Sequence, residues 1–249
     1  DTLQDALKSN DSNVEIIDEN QELEQFSKMK LEISTANLTV KSEGNSYRVE
    51  KYQIPKNTKI ESKDGVLEIK NEKIFNKNDS KSSITVYIPE NVELDDVAME
   101  IGAGTVNIAE IKAKNVDFDF GAGNVELENI SVNNNTKIQC GAGQVIIKKS
   151  ELTNANIDAG VGKLSYLGVL KGNSKISCGV GSVQLDLIGD SDMYEIHAEK
   201  GIGDIKIDDV SVADNSTIGN GENKINIEGG VGSVDIKLHG WEPVPAVQK

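Results

Sequence analysis

Ile138-Gln139-Cys140-Gly141-Ala142-Gly143-Gln144-Val145-Ile146-Ile147 and Ile157-Asp158-Ala159-Gly160-Val161-Gly162-Lys163-Leu164-Ser165-Tyr166 are two copies of one pattern. Apolar residues alternate with polar ones, a Gly-x-Gly tripeptide interrupts, and the alternation resumes. The glycine pair recurs as Gly102 and Gly104, Gly121 and Gly123, Gly141 and Gly143, Gly160 and Gly162, Gly179 and Gly181, Gly201 and Gly203, and Gly230 and Gly232. The first glycines are 19, 20, 19, 19, 22 and 29 residues apart. The last interval fits one period plus an insertion around Asn215–Asn223.

The alternation has the period of two that marks a half-buried strand. After each pair come Val106/Ile108, Val125/Leu127, Val145/Ile147, Leu164/Tyr166, Val183/Leu185, Ile205/Ile207 and Val234/Ile236. Three residues further lies another column: Ile111, Ile130, Ser150, Val169, Ile188 and Val210. Each period therefore reads as strand, Gly-x-Gly corner, strand, polar turn. Hairpins in a flat sheet would leave one large apolar face with no helix to cover it. A coil that closes one circuit per period stacks equivalent residues ~4.8 Å apart around one shared interior. The expected fold is an all-β, single-stranded right-handed β-helix (a β-solenoid) with about 19–20 residues per rung. Paired glycines suit its corners, where backbones approach closely or φ turns positive.

Residues 26–100 are less regular. Met29–Ser34, Leu38–Lys41, Tyr47–Ile54, Val66–Lys70 and Ile84–Ile88 read as strands between turn residues, and are expected to form wider opening rungs. Asp1–Gln25 is polar, with weak helical spacing at Leu3, Ala6 and Leu7, and reads as a short helix or loose segment leading into a cap or linker. The expected organisation is residues 1–25 as that cap, 26–240 as the solenoid with regular repeats over 97–238, and 241–249 as a tail. Trp241 in the tail is expected to act as a peg on the last layer.

The chain has 249 residues and a net charge of −15. Such acidity excludes a phosphate-neutralising nucleic-acid surface and docking on anionic lipid. No run of about 18 apolar residues is present to span a membrane. The chain starts at Asp1 rather than Met, so an upstream signal or anchor is expected to have been removed. Two cysteines give no disulfide framework. Cys140 and Cys178 share one repeat position two rungs apart, ~9.6 Å by rung spacing, beyond the ~7 Å reach of a disulfide, and are expected to be buried free thiols.

With the repeats laid out, the chain resembles the bacterial family of β-strand-repeat domains called putative adhesins, over about residues 29–238. The resemblance is carried by Ala36-Asn37-Leu38-Thr39-Val40, by Asp64-Gly65-Val66-Leu67-Glu68-Ile69, by Ile84-Thr85-Val86-Tyr87-Ile88-Pro89 and by the Gly-Ala-Gly and Gly-Val-Gly corners. It implies a right-handed β-helix in a cell-envelope protein, tethered by a membrane segment upstream of a stretch like Asp1–Gln25. It implies no catalytic residues.

Other readings of the motifs fail on spacing. A dinucleotide loop needs a third glycine and a following helix. Calcium coils need an aspartate at a position that here is always aliphatic, as at Val106 and Val145. The best enzymatic lead is an outward column next to the corners, with Glu100, Asp119, Asp158, Glu199 and Glu228, and with Asp117 on the same strand as Asp119. Asp117 and Asp119 stand ~6.6 Å apart along one strand, a spacing compatible with an inverting carboxylate pair, whereas Asp119 and Asp158 stand ~9.6 Å apart. Neither a sugar platform of aromatics nor a basic cluster accompanies them, and a solvated acidic face is the expected outcome. His197 and His239 are too few and too separated for a metal site or a proton relay. Tyr47, Tyr52, Tyr87, Phe118, Phe120 and Tyr166 are expected mostly to fill the core.

The expected function is a non-enzymatic surface protein without cofactor or metal, anchored outside a bacterial cell. Its partner would be a wall polymer, a protein or a second copy. The alternatives are a polysaccharide-active β-helix enzyme and an accessory domain of an envelope-stress system. A groove gathering Asp117, Asp119 and Asp158 with a basic residue would favour the enzyme.

Overall fold

The computed structural model describes residues 15–71 and 82–240. The helical spacing at Leu3–Leu7 and the Trp241 peg lie outside these residues. All regular structure within them is β. In chain order the strands are β1 (Ile16–Glu22), β2 (Lys28–Ser42), β3 (Arg48–Pro55), β4 (Lys59–Lys63), β5 (Val66–Asn71), β6 (Ser83–Ile88), β7 (Glu93–Thr153), β8 (Ala155–Lys171), β9 (Asn173–Ile188), β10 (Tyr194–Glu199), β11 (Ile202–Ile207), β12 (Val210–Ser211), β13 (Ser216–Ile218) and β14 (Asn223–His239). They form one 14-stranded mixed sheet. The segment Ile16–Glu22, read from sequence as part of a short helix or loose stretch, is a strand antiparallel to β3.

The central strands are parallel and pair equivalent positions of successive repeats. Gly143 faces Gly162, Gly162 faces Gly181, Gly181 faces Gly232, and Gly232 faces Gly203. Within the long strand β7 the corners also stack: a Cβ on Gly121 would lie 2.4 Å from the Gly102 carbonyl oxygen, and one on Gly141 2.5 Å from that of Gly121. The second glycines of β7 stack in the same way. A Cβ on Gly123 would lie 2.0 Å from the Gly104 oxygen, and one on Gly143 2.0 Å from the Gly123 oxygen. The chain thus comes back onto itself about every 19 residues, hiding like residues against like. Val106, Val125, Val145, Leu164, Val183, Val234 and Ile205 are all buried. Such cross-strand aliphatic pairs are the unit of sheet stabilisation.

The corner glycines are required by contact as well as by conformation. The second glycine of each pair has positive φ, from +125° at Gly143 through +133° at Gly123 to +154° at Gly203. A side chain there would strike the carbonyl oxygen of the neighbouring rung; at Gly162 the distance from Cβ to the Gly143 oxygen would be 1.9 Å. The first glycines carry the contact alone, as at Gly160, whose Cβ would lie 2.7 Å from the Gly141 oxygen. Each such Cβ points towards one side of the stack only. Strand β2 is a complete rung paired with residues 96–109, but it carries Ser34 and Ala36 where the next rung has Gly102 and Gly104. Among the described residues no strand lies on the other side of this corner, because β5 ends at Asn71 and β6 begins at Ser83.

The order of the stack differs from the order of the chain at its far end. The Gly230–Gly232 rung, expected last, sits between the Gly179 and Gly201 rungs: β14 pairs in parallel with β9 on one side and with β10 and β11 on the other. The reason lies in how the edge is closed. Strand β12 turns back antiparallel onto β11, and β13 onto β10. Such a cap must follow its rung directly, so the chain lays down the outermost rung, reverses at Asp208 and Asp209 with φ of +48° and +65°, and only then returns inside as β14. The insertion inferred around Asn215–Asn223 contains part of this cap. At the other end β4 and β3 run antiparallel to β5 and β6. Both open edges of the parallel stack are thereby blocked, as exposed edges must be.

One expected inward column breaks. Between rung 136–153 and β8 the register slips: Ile147 pairs with Tyr166 but Ser150 pairs with Gly168, so β8 is one residue shorter. Since side chains alternate faces, a one-residue slip moves the rest of a column outward. Ile111, Ile130 and Ser150 are buried, but Gly168 takes the inward place in β8, and Val169 and Ile188 are half-exposed. Val210, assigned to the same column, is exposed in the cap. The buried Ser150 hydroxyl compensates locally, accepting from the Ile130 N–H at 3.1 Å and donating to the Lys148 carbonyl at 2.8 Å.

Candidate functional site

The outward faces carry two kinds of ladder. The first is charged and spans neighbouring rungs: Lys148–Glu126 at 2.6 Å, Lys149–Glu128 at 3.0 Å, Lys175–Glu228 at 2.7 Å and Lys224–Glu195 at 2.9 Å. Each pair is exposed and worth at most ~1 kcal/mol. Their main effect is to offset the repulsion of stacked carboxylates. The second is amide: Asn115 Nδ2 donates to Asp96, Asn135 to Asn115, and Asn154 to the Asn134 carbonyl.

The acidic candidates Glu100, Asp117, Asp119, Asp158, Glu199 and Glu228 are all exposed. They do not converge on one point. Asp158 pairs with Gln139 and Ser177, Ser177 with Glu228, and Glu228 with Glu199. Glu228 is held by Lys175, and Glu199 lies 3.5 Å from His197. Glu100, Asp117 and Asp119 do share a shallow hollow of about 220 Å³, together with Lys30, Glu32 and Lys137. Lys137 pairs with Asp117 at 3.7 Å. Asp158 is not among the lining residues, and no aromatic ring is. A neighbouring hollow of about 450 Å³ is shaped by Glu32, Ser34, Lys70, Asn71 and Glu100. The Lys30 and Lys70 ammonium groups beside Glu32 hold its carboxyl below the usual carboxylate range. Chemically these hollows offer mixed charge and hydrogen bonding on an open face.

Cys140 and Cys178 are buried free thiols flanking Ala159, which pairs with both. Burial first, and then Asp119 beside Cys140 and Asp158 beside Cys178, pushes both thiols up. Each is a poor nucleophile where it sits. His197 Nδ1 meets the Thr217 hydroxyl at 3.0 Å and His239 Nε2 meets Asp186 at 2.9 Å. The aromatics are mostly internal: Phe26 packs edge-on against Tyr47, Phe118 against Phe120, and Tyr87 lies under the Arg48 guanidinium. Tyr52 departs from the expectation and is exposed.

Two apolar features were not identified as sites from the sequence. The residues between the corner glycines point outward, and the paired column Val161, Val180, Val231 and Ile202 is an exposed aliphatic ridge on four neighbouring rungs. The small or aliphatic identity of this position is visible in the sequence; its direction is not. The second feature is a groove of about 760 Å³ over β8, β9 and β14, with Leu167, Val169, Ile188 and Leu238 along it. It exists because of the register slip, which no residue pattern announces.

No curated protein matches the chain. A solved structure described as a "putative adhesin" from Bacteroides fragilis is 17% identical, with a TM-score of 0.51 over 89% of this chain and 97% of its own. A "putative adhesin" from Parabacteroides distasonis is 11% identical, with a TM-score of 0.46 over 90% of this chain and 98% of its own. A "putative cell adhesion protein" from Clostridium sporogenes is 15% identical, with a TM-score of 0.36 over 90% of this chain and 100% of its own. A family model matches residues 6–215, and by that match the chain belongs to the Toastrack DUF4097 family.

Proposed function

We propose that this chain is a non-enzymatic surface module, adhesive or structural, held outside a bacterial cell by a segment upstream of Asp1. In this reading residues 26–240 form one right-handed, single-stranded β-helix, residues 1–25 a cap or linker, and 241–249 a tail. The observation that carries it is the in-register stack. Outward positions such as Gln139, Asp158, Ser177 and Glu228 recur on neighbouring rungs ~4.8 Å apart. Such a rod meets a repeating or extended partner through many weak polar contacts rather than one deep pocket. The adhesin description of the Bacteroides fragilis neighbour supports the same reading. Partners of this kind are a wall polymer, an extended protein or another copy of the chain. The test is a binding screen of the purified chain against glycans and cell-wall fractions. Retention on at least one fraction, weakened by Gln139→Ala combined with Asp158→Ala, is expected. Absence of binding to every fraction would overturn the adhesive reading.

A second reading rests on one observation. The hollow that gathers Asp117 and Asp119 with Lys137 is half of the arrangement a polysaccharide-active enzyme would need. Incubation with acidic and neutral polysaccharides, monitored for new reducing ends, distinguishes the two. Cleavage abolished by Asp117→Asn or Asp119→Asn would establish the enzyme; intact polymer favours the binding module.

A further inference from the structure

Of the seven large apolar side chains exposed among the described residues, Val161, Val180, Val231 and Ile202 stand in one column on neighbouring rungs. Isolated exposed aliphatics are ordinary, but a contiguous apolar patch marks a surface that something covers. The glycines on either side carry no side chain, so the column stands up as a ridge. It runs on in smaller residues. Val161 pairs with Ala142, and the stacked corners carry the column through Ala122 and Ala103 to Thr35. One half of the ridge is therefore tall and the other low.

We propose that the ridge is a contact between two copies of the chain, related by a twofold axis that reverses the order of the rungs. The first argument is shape. In an isologous contact each position meets its own reverse. Reversal about the point between Ala142 and Val161 sets Val161 on Ala142, Val180 on Ala122 and Val231 on Ala103 of the second copy. Each of these contacts joins a branched side chain to a methyl, so the two faces stay evenly spaced. Copies aligned in the same order would set valine on valine at one end and alanine on alanine at the other, and the faces would splay. The second argument is area. Eight rungs span ~34 Å, and five residues of strand about each corner span ~16 Å. The strip offers about 500 Å² on each copy, or about 1,000 Å² in all, which just reaches the size of a specific interface. A partner that covered only the tall half would fall well short of it. The third argument is charge. On the flank after the corners, reversal sets Gln144 across from Lys163 and Asn124 across from Ser182. On the flank before them, Asp158 meets Gln139 and Asp119 meets Ser177. Carboxylates meet only towards the ends, where Glu228 is held by Lys175 and Glu32 by Lys30 and Lys70. This contact uses the corner ridge rather than wall binding through the polar columns, so the two readings can fail separately.

Sedimentation velocity of the full chain tests the contact. An interface of this size is weak, so the average mass should climb towards twice that of the single chain between ~1 μM and ~1 mM. Each copy carries a net charge of −15, so added salt should strengthen the association by screening their repulsion. Val180→Asp and Ala122→Asp, both at outward positions, should each abolish it while leaving the circular dichroism unchanged. Cross-linking reads the order of the rungs, in chains with Cys140 and Cys178 replaced by alanine. A short bis-maleimide should join a Val180→Cys chain to an Ala122→Cys chain. Neither should be joined to itself, because each would lie three rungs, ~14 Å, from its own copy. A single-chain mass up to ~1 mM at high salt would overturn the proposal. So would association that salt dissolves, association that survives both aspartate variants, or Val180→Cys chains that couple to themselves and not to Ala122→Cys.

Discussion

Gly162→Ala, Gly141→Ala and Gly44→Ala separate the two reasons for glycine at the corners. At Gly162 an added methyl would lie 1.9 Å from the Gly143 carbonyl oxygen, on a backbone with φ of +137°. Gly141 has the contact without the unusual backbone, its Cβ falling 2.5 Å from the Gly121 oxygen. Gly44 has the backbone without the contact, with φ of +71° and nothing within 4 Å. Overpacking a filled site costs ~1–3 kcal/mol and holding a side chain in a disfavoured backbone region another ~1–3 kcal/mol. Gly162→Ala should therefore lose about 4 kcal/mol, Gly141→Ala about 2 kcal/mol and Gly44→Ala about 1 kcal/mol. Against a typical total of ~5–15 kcal/mol, the first loss is a large fraction of the whole. Urea unfolding followed by far-ultraviolet circular dichroism reads the order directly, with a midpoint drop for Gly162→Ala of about 1 M or more. Gln139→Ala, on the outward position beside the same corner, should stay within ~0.5 kcal/mol. Equal midpoints for Gly162→Ala and Gly44→Ala would refute the claim that neighbouring backbones touch at this corner.

Ser150→Ala should cost ~1–3 kcal/mol, because it leaves the buried Ile130 N–H without its acceptor; a neutral result in the same urea assay would contradict the account of the slip. Burial pushes the Tyr194 hydroxyl up to about 12 and that of Tyr166 well above its ordinary value. The unfolded chain thus gives up these protons first, near pH ~10, so stability from this source is intact below pH ~10 and falls as pH rises from there towards 12. Urea midpoints across this range should decline, and decline less in Tyr194→Phe; a midpoint that rises with pH would be the wrong sign. Cys140 and Cys178 should react slowly with a thiol reagent in the folded chain and rapidly in urea, since burial raises both. Fast labelling of the folded chain would place them elsewhere.

What the sequence disclosed was whatever repeats. The corner glycines and the alternating aliphatic columns are contacts between equivalent positions, so each rung states the rule that its neighbours obey. The missing pieces are places where that rule is locally suspended. The rung Lys28–Lys41 carries the same alternation, Met29, Leu31, Ile33 and then Leu38, Val40, but it has Ser34 and Ala36 where the next rung has Gly102 and Gly104. Val169 and Ile188 look like core residues because their spacing from the glycines is unchanged. They leave the core because the shortening falls at the turn before them, where Ser150 meets Gly168. The position of β14 between β9 and β10 is set by edge closure, a property of the finished stack rather than of any one repeat. The acidic column was legible residue by residue, but its partners were not. Lys175 reaches Glu228 only because their two rungs are neighbours in space, although the corners of those rungs, at Gly179 and Gly230, are 51 residues apart in the chain.

The order of rungs at the far end is the most direct test of the whole arrangement. Cysteine pairs placed on the exposed corner column, in a chain with Cys140 and Cys178 replaced by alanine, can be oxidised and scored on a non-reducing gel. Val180 faces Val231 and Val231 faces Ile202. In-register neighbours ~4.8 Å apart fall within disulfide reach, and positions two rungs apart, at ~9.6 Å, do not. Val180→Cys with Val231→Cys should cross-link, as should Val231→Cys with Ile202→Cys, while Val180→Cys with Ile202→Cys should not. Efficient cross-linking of the 180/202 pair, with none for 180/231, would show rungs stacked in simple chain order and contradict the fold described above.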